Sequence, residues 1–246
     1  MSKIFAAVIA ISVTILFPIA VAAQGVPDND TIQTRTTYPG SPFFYDALFM
    51  RYKAGDTTLT AEDYHYLYYG YVFRDEYDPL VPIPAEANIL AVFERTPEPD
   101  YYGMSEILQN AMEVMKHDPF SPSNLNFLVY AYGAIGDTVN ERVNYDRFVK
   151  VIGVIESSGD GLKEKTPMHI IRFSHATDLL ASRGLSASKS IVISQTVEFV
   201  ELTHKDGDNR GYFFDYSRVY WKKPSREPEE EKRTWQFNNL PPKEYK

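Results

Sequence analysis

The segment that most constrains the fold is residues 60–73, because it predicts a helix with two opposite apolar sides. Thr60 followed by Asp63 resembles a capping box, with aspartate in place of the usual glutamate, so the helix begins at this threonine. At 100° per residue, one stripe contains Tyr64, Leu67, Tyr68 and Tyr71, and the opposite stripe contains Tyr66, Tyr69 and Phe73. Such a helix must be covered on both sides, as in a stacked array of helices.

The second stripe also has a functional interpretation. Its rings could line a groove and stack on a peptide or a sugar instead of packing in the core. Helices that stack in pairs form grooves of this kind, and side chains of a neighbouring helix would complete it. Core packing is the favoured interpretation, and the groove is the alternative. The candidate binding residues are Tyr66, Tyr69, Phe73, Asn124 and Tyr132.

Residues 1–23 have the layout of a cleavable signal peptide. Lys3 is followed by an uncharged apolar run over residues 4–21, and small residues then predict cleavage after Ala22 or Ala23. A membrane anchor is the alternative, since about 18 apolar residues can just span a bilayer. Pro18 and the small residues after it favour a signal peptide. We therefore expect an exported protein, periplasmic or secreted, with no membrane span after cleavage.

The composition restricts both how the chain is stabilised and what it binds. The sequence contains no cysteine, so an exported form has no disulfide and depends on hydrophobic packing. Its 18 tyrosines and 15 phenylalanines supply large apolar areas for that packing. The net charge of −8 and the lack of a long basic run argue against nucleic acid and anionic membranes as partners.

Composition and periodicity divide the chain into five regions. Residues 1–23 are the signal peptide, and the polar, threonine-rich residues 24–41 predict a flexible leader. Six helices are predicted next, near residues 42–53, 60–73, 85–94, 105–117, 121–136 and 139–157. The five regions are therefore the signal peptide 1–23, the leader 24–41, a helical region 42–160, an α+β part 161–222 and a charged tail 223–246.

The last two predicted helices resemble a tetratricopeptide unit. Pro122 stands at a helix junction, Gly136 and Asp137 form a turn, and an amphipathic helix follows. Glu141 departs from the pattern, because a small residue is expected there. The predicted fold class is therefore α+β, with tetratricopeptide-like helical hairpins followed by a short antiparallel β-hairpin.

The β-hairpin is predicted from alternating and β-branched segments in the C-terminal part. Strands are expected near residues 191–193, 197–202 and 211–221, with turn-forming residues at 205–210. A short strand at 168–173 and a short helix at 176–182 precede them. Asp206, Asp208 and Asn209 superficially suggest a calcium loop, but Arg210 occupies the fifth position and Ser217 stands where a bidentate glutamate is needed. A polar turn is the favoured interpretation.

A search for catalytic chemistry is mostly negative. The sequence has no cysteine nucleophile and no serine-hydrolase, zinc-protease or nucleotide-binding motif. Ser158, Asp160 and His175 could in principle converge for nucleophilic catalysis, but residues 157–161 are better interpreted as a helix end and a turn. We predict no catalytic residue, no metal site and no cofactor.

Several segments resemble a bacterial family known as domain of unknown function 4919. They lie at residues 54–60, 67–71, 118–120, 125–128, 157–161, 175–184 and 211–215, together with Tyr64. The resemblance covers nearly the whole mature chain. It implies an exported or envelope protein with tetratricopeptide-like helices, and it brings no assigned activity and no catalytic residue.

These observations predict an interaction module rather than an enzyme. Helical hairpin stacks present grooves for peptide segments, so the leading expectation is a protein or peptide partner in the periplasm or cell envelope. This expectation rests on analogy from fold. The alternatives are an envelope hydrolase and a carbohydrate-binding protein acting on glycan or peptide. The sequence does not fix the oligomeric state.

Overall fold

The computed structural model of the protein describes residues 25–221. The α-helices are α1 (Asn29–Thr37), α2 (Tyr45–Lys53), α3 (Ala61–Gly70), α4 (Pro84–Arg95), α5 (Tyr101–His117), α6 (Pro122–Ala134), α7 (Thr138–Ser157) and α8 (Ser174–Ser182). A turn of 3-10 helix, Tyr71–Phe73, extends α3. The strands are β1 (Met168–His169), β2 (Ala187–Val192), β3 (Val197–Asp206) and β4 (Asn209–Asp215). The predicted α+β class is confirmed.

The sheet is larger than the predicted hairpin. Its order is β1-β4-β3-β2, in which β3 pairs with both β4 and β2 in antiparallel fashion and β1 runs parallel to β4. The hairpin itself is β3–β4, closed by a tight turn where Gly207 has a φ of +59°. The polar-turn interpretation of residues 205–210 is therefore confirmed. Val200, Tyr212 and Phe214 are buried on the face that packs into the core.

Helix α3 lies at the centre of the helical part, and both of its stripes are covered. The capping box of Thr60 and Asp63 is formed in both directions. On one side, Tyr68 contacts Phe120 and His175. On the other side, Tyr66 and Tyr69 are covered by α1, by the loop before α2 and by the C-terminal part. The sequence expectation that this helix is sandwiched is confirmed.

The prediction of a flexible leader over residues 24–41 is wrong, because this segment contains α1. Asp28 caps the helix, and Ile32 and Thr36 are buried. A Cβ placed on Gly70 would lie 2.8 Å from the Thr36 methyl carbon, so glycine allows α1 to pack closely against α3. The segment looked like a leader because its helix buries a single large apolar side chain, which leaves no hydrophobic periodicity.

Helices α4 to α7 pack as consecutive neighbours, with α7 also contacting α3. The tetratricopeptide-like repeat stays a prediction, whereas the helix boundaries fall within a few residues of those expected.

The predicted signal peptide and the charged tail lie outside the described residues. No helix within residues 25–221 combines the length and the hydrophobicity needed to cross a bilayer.

The docking of α1 can be tested with Ile32→Ala. Removing this buried side chain should lower the free energy of unfolding by about 2–5 kcal/mol, because the cavity lies between α1 and the core. Urea denaturation measures the change, and hydrogen exchange of residues 29–37 shows whether α1 opens. The exposed neighbour Gln33, changed to alanine, serves as the control. A freely mobile leader would give the same stability for both variants.

Candidate functional site

The five predicted binding residues do not form one exposed surface. Tyr69 and Asn124 are buried, and Tyr66 is only 6% exposed. The Tyr69 hydroxyl donates to the carbonyl of His169 at 3.0 Å, and Asn124 Nδ2 donates to the carbonyl of Ala111 at 3.0 Å. Phe73 and Tyr132 are partly buried and pack against the core. That these residues bind a partner stays a prediction, and their packing leaves little side-chain surface for direct contact.

Ser158, Asp160 and His175 have separate structural partners. Ser158 Oγ donates to the carbonyl of Ile155 at 2.6 Å and accepts from the backbone N–H of His169 at 2.8 Å. Asp160 accepts from the backbone N–H of Leu162 and from the Thr166 hydroxyl within its turn. Both ring nitrogens of His175 lie against other side chains, so neither is available to the serine.

His175 belongs to a buried polar chain that joins three distant segments. Its Nδ1 lies 2.8 Å from the Tyr68 hydroxyl of α3, and its Nε2 lies 3.0 Å from Asp118 Oδ2 after α5. Arg172 Nε lies 3.7 Å from the same carboxylate oxygen. Burial raises the pKa of Asp118, but His175 and Arg172 outweigh it, so the pKa lies below its usual value. This network is closed to solvent and stabilises the fold.

A second buried network ties the two ends of the described chain together. Arg218 is 2% exposed, and its guanidinium donates to the carbonyl of Pro27 at 2.8 Å and to Asn29 Oδ1 at 2.6 Å. It also lies 3.3 Å from His169 Nδ1. His169 in turn faces Asp215. Burial raises the pKa of this carboxyl, but hydrogen bonds from His169 and Ser217 lower it to about 2.

His65 also lies close enough to Arg218 to be affected by its charge. Burial, assisted by the charge of Arg218, lowers the pKa of His65 to about 4.

Asp178 is a described carboxyl group whose raised pKa would suit a proton donor. Burial raises its pKa to about 6, in part offset by His175 and by hydrogen bonds from Ser123. A group titrating in this range is a candidate acid or base. Its acidic neighbour Asp118 is buried in the network described above, so the two carboxyls do not form an accessible pair. These two carboxyls therefore do not supply the accessible acid and base that a hydrolase of this kind would use.

The most distinctive exposed element is the edge strand β2. All six of its residues are exposed, and within residues 25–221 its outer edge pairs with no other strand. The apolar side chains of Ile191, Val192 and Ile193 are 39%, 71% and 42% exposed. Proteins usually protect such an edge with charge, proline or a bulge, and β2 has one register irregularity, between Ala187 and Lys189. The one charged side chain of β2, Lys189, is held in an ion pair with Glu201 at 3.1 Å.

An apolar stripe continues from β2 across the outer face of the sheet. Ile191 pairs with Phe199, and Phe199 pairs with Phe213, so the three side chains lie side by side on adjacent strands. The two phenylalanine rings are 4.9 Å apart and half-buried. The sequence predicted part of the strand, at residues 191–193, but gave no sign that it would form the edge.

A shallow cleft of about 440 Å³ forms a second exposed feature, between the end of α1 and the loop before α2. It is lined by Thr34, Arg35, Tyr38, Gly40, Ser41, Pro42 and Phe43. The sequence did not predict it, because its residues between 34 and 41 were assigned to a flexible leader and Pro42 and Phe43 to the helix that follows. Within the described part of the chain, no three histidine or acidic side chains converge as metal ligands would.

The fold and surface features define an α+β protein whose accessible features are an exposed strand edge and an arginine-containing cleft. Residues 30–224 match the family described as domain of unknown function (DUF4919), and the chain belongs to this family. The resemblance seen in the sequence is thereby confirmed. Comparison with curated proteins and with solved structures gives no significant match.

The Asp118 network can be tested with Asp118→Asn. At about pH 7 this change should lower the free energy of unfolding by about 3–5 kcal/mol, because it removes one partner of a buried charged network. The folded pKa of Asp118 lies below the unfolded value of about 3.9. Its contribution is therefore present above that value and is lost as the pH falls through the folded pKa. Urea denaturation near pH 7, 5 and 3 should show a shallower acid loss for the variant.

His65→Phe serves as the control for the pH dependence. Since the pKa of His65 falls from about 6.5 in the unfolded chain to about 4 in the fold, the native protein should lose its contribution between these values. The His65→Phe variant should not lose stability in this pH range. It should keep the steeper loss of stability at lower pH. The interpretation of Asp118 is wrong if Asp118→Asn changes the free energy of unfolding only between about pH 4 and pH 6.5.

Proposed function

We propose that this protein is an exported interaction module of the periplasm or cell envelope, and that its β2 edge receives an extended segment of a partner protein. The observation that carries the proposal is the exposure of all six residues of β2 at the sheet edge. Strand addition at such an edge is a common mode of peptide recognition. Backbone hydrogen bonds supply affinity in this mode, and alternating side chains supply selectivity.

The backbone geometry of β2 supports this mode of binding. The N–H of Ile193 donates to the carbonyl of Val197 in β3 at 2.9 Å. Because successive residues alternate in direction along an antiparallel strand, the backbone groups of Ser190 and Val192 point away from β3. They form a short row of donors and acceptors available to an added strand.

The rest of the fold holds this edge in place. The sheet face that carries Val200, Tyr212 and Phe214 packs into the core, which limits twisting of the neighbouring strand β3. On the other face, Ile191 extends the stripe of Phe199 and Phe213 to the edge. A partner segment with apolar residues at alternate positions would continue this stripe, and a scaffolding role follows from holding such a segment on a rigid support.

The role of the edge can be tested with Val192→Lys. The side chain is 71% exposed, so the change should leave stability within about 0.5 kcal/mol while placing a charge where an added strand would pack. A photo-crosslinking residue at Ser188 would be used in cells that express the native protein. We expect a crosslink to one partner, mapped to a short segment, and its loss in the lysine variant.

Val139→Lys provides a matched control, since Val139 is also 71% exposed but lies on α7. This variant should retain the crosslink. An identical crosslinking pattern for the two lysine variants would contradict the proposal. A crosslink only between two copies of this chain would replace the partner with self-association.

Export is a separate part of the proposal and rests on the pattern of residues 1–23. The intact mass of the protein recovered from the periplasm or medium should match a chain beginning at residue 23 or 24. Replacing both Ala22 and Ala23, the residues before the two expected cleavage points, with bulky residues should block processing, while the same change at Ala6 and Ala7 should not. Recovery of the full-length chain in the cytoplasm would contradict export.

A further inference from the structure

We propose that the cleft at the end of α1 binds a carboxylate, and that Arg35 is the residue that recognises it. The ligand class is the C-terminal carboxylate of a peptide whose last side chain is apolar or aromatic. This site does not overlap the β2 edge, and it holds whether or not that edge binds a partner.

Arg35 is held in a fixed position by neutral groups. Its Nη1 donates to the Tyr66 hydroxyl at 2.9 Å, and its guanidinium carbon lies 5.6 Å from the ring centres of both Phe43 and Tyr66. The two rings are themselves stacked at 4.1 Å. A guanidinium anchored in this way loses less side-chain freedom when it binds a ligand.

The charge of Arg35 is not neutralised by an acidic side chain. Among residues 25–221, no carboxylate lies within 4.0 Å of its guanidinium. Five of the ten described arginines have such a neighbour, namely Arg51, Arg74, Arg95, Arg172 and Arg183. A guanidinium has five N–H donors, and only one is used by Tyr66. The remaining donors suit the two oxygens of a carboxylate.

The walls of the cleft favour an apolar group next to that carboxylate. Tyr38, Pro42 and Phe43 supply apolar surface, and the Tyr38 ring is folded over Gly40, where a Cβ would lie 2.7 Å from it. The Ser41 hydroxyl already accepts from the backbone N–H of Phe43 at 3.0 Å. A sugar acid would need partners for many hydroxyls, and the side-chain hydroxyls of the lining are those of Thr34, Tyr38 and Ser41. A peptide terminus with an apolar side chain fits the lining better.

Tyr66 is a positioning residue in this arrangement. It is almost buried, so it contacts the ligand little, but its hydroxyl fixes the direction of the guanidinium. Removing the hydroxyl should therefore weaken recognition of the carboxylate and leave the apolar contact unchanged. A purely structural role would weaken both or neither.

The test uses N-acetyl-alanyl-alanyl-phenylalanine and its C-terminal amide, titrated against the full mature chain by calorimetry or NMR. We expect the acid to bind about tenfold more tightly than the amide, because only the acid makes charge-assisted hydrogen bonds to Arg35. Arg35→Gln should remove this difference, and Arg35→Lys should restore little of it, since an ammonium cannot form the paired contact. Tyr66→Phe should reduce the preference severalfold without changing the affinity for the amide.

Arg95→Gln is the matched control, since Arg95 is an exposed arginine paired with Glu106 on other helices. It should leave the preference unchanged. Equal affinity for the acid and the amide, or an unchanged preference in Arg35→Gln, would overturn the proposal. Binding of an oligogalacturonate but not of the peptide would also overturn it and assign the cleft to an acidic glycan. Thermal unfolding of each variant shows whether the fold is retained.

Discussion

The fold depends on the buried contact of His175 with Tyr68 and Asp118. Three segments far apart in sequence meet there: the aromatic helix α3, the junction of α5 with α6, and α8. A buried carboxylate is costly unless it is paired, so this junction, the helix and α8 must form together. Through this contact, α3 is held between the other helices and the part that contains the sheet. The fold needs no disulfide to keep this helix with two apolar sides in place.

Much of this architecture follows from local sequence signals. The capping box of Thr60 and Asp63, the proline at the start of α6 and the turn at Gly207 are short-range features, and each lies where the sequence predicts it. The sandwiching of α3 follows from its two stripes. Helix α1 could not be predicted in this way, because Ile32 and polar contacts to α3 and Arg218 hold it. The parallel pairing of β1 with β4 depends on a contact that no local pattern encodes.

The candidate sites were harder to predict than the fold, for a physical reason. Aromatic residues in a sequence look the same whether they pack in the core or face a ligand, and here Tyr66 and Tyr69 are mainly in the core. The edge of β2 is exposed because, within residues 25–221, no strand pairs with its outer side. Which strand lies at the edge depends on the strand order of the whole sheet. The position of Arg35 depends in turn on α1, a helix that the local sequence pattern does not predict. The two proposed sites therefore lie where local patterns carry the least information.

The contact between Arg218 and Pro27 has a consequence for the order of folding. These residues are 191 positions apart, and the guanidinium and the backbone carbonyl are both buried in their contact. A chain that emerges from its N-terminal end cannot complete this contact until almost all of it is available. Contacts of such long sequence separation slow folding, because a large loop must close first. The nascent protein would thus stay incompletely folded until residue 218 has been synthesised.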